Sequence, residues 1–70
     1  MKANTYKNIG PLCREARIKN NKSQSYMAKI YNCTTANISE FERGNTHSLG
    51  LLLTYIKEFD ISIKELLDHV

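Results

Sequence analysis

Apolar side chains return every three or four residues along most of the chain, and short polar stretches rich in Asn, Ser, Thr and Gly separate the runs. Leu12, Cys13, Ala16 and Arg17 share one helical face between Gly10-Pro11 and Asn20-Asn21. Pro11 suits the first position of a helix, where its missing N–H breaks no hydrogen bond, so the spacing predicts that the first helix starts there. Ser23 caps a second run with Met27, Ala28, Ile30 and Tyr31 as inner positions. Asn32 can take the left-handed conformation that closes such a helix, although Gly would enter it at lower cost. Thr34 caps a third run, with Cys33 and Ile38 at the two positions of a hydrophobic staple and Gly44 at its end. Ser48 opens a fourth, in which Leu49, Leu52, Leu53, Ile56 and Phe59 repeat. Ser62-Ile63-Lys64-Glu65 reads as a capping box that starts a fifth, with Ile61 and Leu66 as its staple. Nothing alternates with period two for long enough to make a strand. The expectation is an all-α chain of five helices.

The segment SQSYMAKIYNCTTANISEFERG, residues 23 to 44, carries most of the functional information. It predicts two short helices joined by a tight turn, over about residues 23–42. Units of this kind place their second helix in the major groove of DNA. On a helical wheel Ile38 and Phe41 point inward together with Thr34, while Ala36, Ser39 and Glu40 point outward and Thr35 and Asn37 flank them. A helix entering the groove needs short side chains where it nears the duplex, and donors and acceptors at its N-terminal end. Thr35, Ala36 and Asn37 supply both: Asn bonds adenine in bidentate fashion, and Ala or Thr methyls pack on the thymine methyl. A solvated helix face of small polar residues has the same composition.

Length and charge narrow the choices. Seventy residues, 41% of them apolar, suffice for one domain (1–70) with one core, without room for a deep substrate pocket. No run approaches the roughly 20 apolar residues of a membrane span, and MKANTYKNIG lacks the apolar stretch of a signal peptide, so no membrane association and a cytoplasmic location are expected. Cys13 and Cys33 fall on apolar helical positions and read as buried free thiols. His47 and His69 are too isolated to suggest a metal site. The net charge of +3 is unevenly spread. Residues 1 to 29 hold seven basic side chains against Glu15 alone, whereas residues 30 to 70 hold three basic and six acidic ones. A basic half suits an anionic partner, and also fits ordinary solvated lysines.

Ser23-Gln24, Ala28, Ile38-Ser39 and Glu42-Arg43-Gly44 resemble the helix-turn-helix of the Cro/CI-type, or XRE, family of bacterial and phage repressors. The likeness extends to residues 12–17 upstream and 49–67 downstream, and its register agrees with the helices read above. It implies a five-helix, lambda-repressor-like DNA-binding domain. It implies that Gln24 clamps a phosphate, helped by N–H groups at the start of its helix. Thr34, Thr35, Ala36 and Glu40 match positions that face base edges, with Asn37 and Ser39 beside them. Arg43 and the loop Asn45-Thr46-His47 match positions near the phosphates. Arg17 and Glu42 match a buried ion pair that ties the first helix to the end of the third.

The chain also departs from the family pattern. Asn32 replaces the usual turn glycine, and Lys22 an apolar residue. The predicted reading helix has no Lys or Arg and carries Glu40, so phosphate attraction must come from Lys22, Lys29, Arg43 and an N-terminal arm over residues 1–8 with Lys2 and Lys7. Among the readers, Asn37 and Glu40 can pair with base edges, and Ser39 with a phosphate.

The expected function is a sequence-specific DNA-binding regulator, a repressor that acts without cofactor as a homodimer on a pseudo-palindromic double-stranded site. Half-sites in such operators lie roughly 34–36 Å apart. Tyr55, Ile61, Ile63, Leu67 and Val70 are the expected dimer surface. The alternative, kept open by the weakly basic reading helix, is an antitoxin-like or anti-repressor module that holds a protein partner on the same fold. No phosphate loop, paired carboxylates or Cys/His/Asp set supports an enzyme.

Overall fold

The computed structural model describes residues 5–68, with side chains described from Asn8 onward. It is all-α: α1 (Thr5–Lys19), α2 (Gln24–Tyr31), α3 (Thr35–Glu42), α4 (Leu49–Phe59) and α5 (Ile63–Leu67). Helix α3 is the hub of the packing, resting on α2 and on α1, which also meets α4. No helix among the described residues is long and apolar enough to cross a membrane.

Capping chemistry sets most of the boundaries. Ser23, Thr34 and Ser48 sit in extended conformation, and each accepts a hydrogen bond from the N–H three residues on. Four helix ends share one device, a residue in left-handed conformation: Asn21 (φ 58°), Asn32 (φ 60°), Gly44 (φ 80°) and Asp60 (φ 52°). At each end the N–H of the residue after it returns to a carbonyl five residues back, as in Cys33 to Ala28 and Asn45 to Glu40. The chain therefore reverses abruptly after α1, α2, α3 and α4. Only one of these four ends uses glycine.

Three expectations about the elements are corrected. Helix α1 begins at Thr5, so Pro11 lies inside it, where it removes one helical hydrogen bond. The residue before it is pressed against α3: a Cβ on Gly10 would lie 2.4 Å from the Phe41 carbonyl oxygen and 2.9 Å from the Gly44 nitrogen. Gly10 is thus a contact point between α1 and the end of α3. Residues 5–8 of the expected arm belong to this helix, and residues 1–4 lie outside the described part. At α5, Ser62 is the N-cap, but its side chain makes no capping hydrogen bond.

The core is drawn from every helix: Ile9 and Cys13, Met27 and Ala28, Ile38 and Phe41, Leu51 and Tyr55, then Ile61 and Leu66. The Tyr55 ring packs between Phe41 and Phe59, with centroids at 5.4 and 5.9 Å. Two helix faces differ from the sequence reading. Ile30 and Tyr31 are exposed, leaving Met27 and Ala28 as the buried face of α2. In α4, Leu52, Ile56 and Phe59 pack half-buried against the core, but the fully buried side chains are Leu51 and Tyr55, and Leu49 and Leu53 point to solvent. Helix α4 is apolar on both sides, and its core face is the one that brings the Tyr55 hydroxyl to a partner.

Candidate nucleic-acid interface

Three residues, Asn32 to Thr34, separate α2 from α3. Left-handed Asn32 turns the chain, and Thr34 Oγ1 then accepts the Asn37 N–H at 3.1 Å. Thr34, expected to point inward, is instead exposed at this cap, because the N-cap residue stands just outside the helical wheel. Thr35, Ala36 and Asn37 are exposed as well, while Ser39 and Glu40 are half-buried. Ile38 and Phe41 are fully buried on the opposite side. The N-terminal turn of α3 therefore offers small hydroxyl, methyl and amide groups on a rigid helix.

The end of α3 is fixed by a buried polar network. Arg17 Nε donates to Glu42 Oε2 at 2.7 Å, and its Nη2 donates to Oε1 at 3.1 Å. The third guanidinium nitrogen donates to the Lys22 carbonyl at 2.8 Å, which ties the α1–α2 connection into the same site. Glu42, only 1% exposed, also accepts from Tyr55 Oη at 2.5 Å and from Gln24 Nε2 at 3.1 Å. Burial pushes the Glu42 carboxyl up, but the hydrogen bonds from Arg17, Tyr55 and Gln24 and the Arg17 charge outweigh it, so its pKa lies below the usual value. The same carboxylate holds Arg17 more firmly protonated. Nearby, burial and then the Glu42 charge raise the Cys13 thiol to about 12. Among the described residues no buried side-chain polar atom lacks a hydrogen-bond partner.

No family model, curated protein or solved structure matches this chain. The candidate interface therefore stands on its geometry.

Gln24, read as a phosphate clamp, gives its amide to Glu42 in this structure. Arg43, read as a phosphate contact, is paired with Glu40 across one helical turn. Lys22 Nζ lies 4.7 Å from the centroid of the Tyr26 ring, whose hydroxyl donates to Glu58 of α4. Lys29 is exposed on α2, and the loop after α3 presents Asn45 and His47 with Thr46 half-buried.

Two of the expected dimer residues belong to the core of the single chain, since Tyr55 is fully buried and Ile61 nearly so. The Tyr55 ring packs on Phe41 and Phe59, and its hydroxyl reaches Glu42. Ile63 and Leu67 are 57% and 63% exposed, and Leu49 and Leu53 join them as exposed apolar side chains. Val70 lies outside the described residues. Sequence reasoning missed Tyr55 and Gln24 as partners of Glu42. A tyrosine on an apolar helix face was the available signal, because a buried phenol needs a hydrogen-bond partner.

A cleft of about 160 Å³ between α1 and the α4–α5 corner includes Glu15, Asp60 and Glu65 but no residue of α2 or α3. It is smaller than ligand pockets, which run from about 300 Å³. Among the described residues no group of three or more His, Cys, Asp and Glu could hold a metal ion.

Proposed function

We propose that this chain is a sequence-specific DNA-binding regulator of the Cro/CI type, in which α2, the Asn32–Thr34 turn and α3 form a helix-turn-helix. The observation that carries the reading is the exposed N-terminal turn of α3: Thr35, Ala36 and Asn37 lie outward while Ile38, Phe41 and Glu42 anchor the helix from behind. In this reading α3 enters the major groove N-terminus first. Thr35 and Asn37 face base edges, Ala36 leaves room for close approach, Thr34 stands at the rim, and Glu40 is paired with Arg43. Lys22 and Lys29 approach the backbone, with N–H groups at the start of α2 beside them. The Arg17–Glu42 network keeps α1, α2, α3 and α4 in fixed relation, so the reading helix docks without rearranging.

Because one short helix spans only part of a useful site, the proposed active form is a dimer on a two-fold operator. Leu49, Leu53, Ile63 and Leu67 are the exposed apolar side chains of α4 and α5 proposed to meet a second copy. Repression is steric, by occupying a site that polymerase or another factor needs.

In vitro selection of random duplexes with the purified protein tests this reading. A palindromic consensus supports it and reports half-site spacing. Recovery of no consensus, together with no retardation of any duplex at low salt, refutes it. A second reading, a protein-interaction module on the same fold, draws on the Glu40–Arg43 pair, which leaves the α3 surface without net positive charge. A specific protein partner combined with failure on all duplexes favours that module.

A further inference from the structure

Glu40 and Arg43 stand one turn apart near the end of α3, and Arg43 Nη2 donates to Glu40 Oε2. Their side chains are 44% and 62% exposed, so both remain within reach of a partner. Arg43 is the sole cation of α3 and its C-cap, for Thr35, Ala36, Asn37 and Ser39 are uncharged and Glu42 is committed to Arg17 in the core. With the Glu40–Arg43 pair closed, this face offers a polyanion no net charge. A backbone phosphate and the Glu40 carboxylate compete for one guanidinium. The carboxylate is already in place on the same helix, whereas an incoming phosphate is repelled by it.

We propose that Glu40 withholds Arg43 from backbone phosphates and so limits binding to duplexes of arbitrary sequence, an inference that rests on the DNA-binding reading above. Glu40 is then a specificity-determining residue of the interface: it lowers the sequence-independent part of affinity and leaves the Thr35 and Asn37 contacts untouched. Lys22 and Lys29 on or beside α2 supply the phosphate contacts in the unmodified protein.

The test is a salt series on a mixed-sequence duplex, read by fluorescence polarisation, with the wild-type chain, Glu40→Gln, Arg43→Ala and the double variant. Each newly neutralised phosphate steepens the log–log salt slope by about 0.9. Glu40→Gln is expected to steepen it by that amount per protomer, so that binding tightens more at 50 than at 200 mM salt by about three- to fourfold for a bound monomer and about twelvefold for a bound dimer. Arg43→Ala alone bares the Glu40 carboxylate, so it is expected to weaken binding without steepening the slope, and the double variant to return to the wild-type slope. Glu40→Ala provides the same comparison without the amide. A slope that falls with Arg43→Ala in the wild-type background and does not rise with Glu40→Gln or Glu40→Ala overturns the inference while leaving DNA binding intact. Failure of the wild-type chain and all variants to hold any duplex at low salt overturns the DNA-binding reading, and this inference with it.

Discussion

The Tyr55 hydroxyl donates to Oε2 of Glu42, the same oxygen that Arg17 Nε reaches. One carboxylate thereby joins α1, α3 and α4, and Gln24 adds α2. A buried charge is tolerated here because Arg17, Tyr55 and Gln24 all donate to it. Removing the charged donor and removing a neutral one should therefore have different consequences.

Arg17→Met leaves Glu42 ionised and buried with only neutral donors, and is expected to cost about 3–5 kcal/mol. Tyr55→Phe keeps the ion pair and removes one hydrogen bond to a charged group, so about 1.5–3 kcal/mol is expected. Urea unfolding of the two variants measures both. A cost near zero for Arg17→Met would sink the anchoring role assigned to the pair.

The network also sets an acid limb. The folded Glu42 carboxyl has a pKa below its ordinary 4.5, so the unfolded chain binds this proton more readily than the folded one. Its stabilisation is complete above about 4.5 and is lost as pH falls through the lower folded value. The stability gap between wild type and Glu42→Gln should accordingly narrow as pH falls below about 4.5 and through the lower folded value. Unfolding midpoints of both proteins across that range would show it, and a gap independent of pH would contradict it.

How much of this was legible depended on whether the determinant was local. Ser23, Thr34 and Ser48 cap by reaching the N–H three residues on, and Asn32 closes α2 through its own φ, so nearby sequence was enough. Ser62 shares the capping composition, yet its hydroxyl makes no such bond, so composition alone did not decide geometry. In α4 the spacing identifies Leu52, Ile56 and Phe59, which pack on the core, but not the outward position of Leu49 and Leu53, because Leu51 and Tyr55 complete a ring of apolar groups around the helix. The buried side is the one whose Tyr55 meets Phe41 and Glu42, distant in sequence. Likewise Gly10 looked like a helix boundary, whereas its small size serves a contact with residues 41–44 that only the fold brings together. For the candidate interface, the outward position of Thr35 to Asn37 followed from helical spacing. The pairing of Arg43 with Glu40 was within reach of the same spacing.

Gly10→Ala is expected to destabilise, against the usual helix preference for Ala. The new methyl would meet backbone atoms of Phe41, Gly44 and Glu42 at 2.4 to 3.0 Å, and backbone cannot rotate away. The cost of such overpacking, about 1–3 kcal/mol, exceeds the roughly 1 kcal/mol that Ala gains over Gly in a helix. Thermal unfolding checks the sign, and a stabilised variant would mean that α1 does not press on the end of α3.

At Asn32 the same kind of exchange should act the other way. Its φ of 60° lies in the region that disfavours a side chain, and Gly enters it freely. Asn32→Gly is expected to raise stability by up to about 1 kcal/mol, the steric gain being partly offset by the greater freedom of Gly in the unfolded chain. Denaturant midpoints measure it. A fall would show that the Asn32 side chain supports the turn.

Base reading is best tested at Asn37. The Thr34 cap uses the Asn37 backbone N–H, so Asn37→Ala removes the side-chain amide and leaves the cap in place. Thr34→Ala, in contrast, removes the cap itself and mixes a folding cost with any binding effect. If Asn37 pairs with an adenine edge, Asn37→Ala should lose about 1–3 kcal/mol of discrimination at one position of each half-site and leave the salt slope unchanged. Lys29→Ala should do the reverse, weakening all sequences alike and reducing the slope by about 0.9 per protomer. Repeating the duplex selection with both variants separates these outcomes. A consensus that survives Asn37→Ala unaltered would remove Asn37 from the readers and move the search along α3 to Thr35.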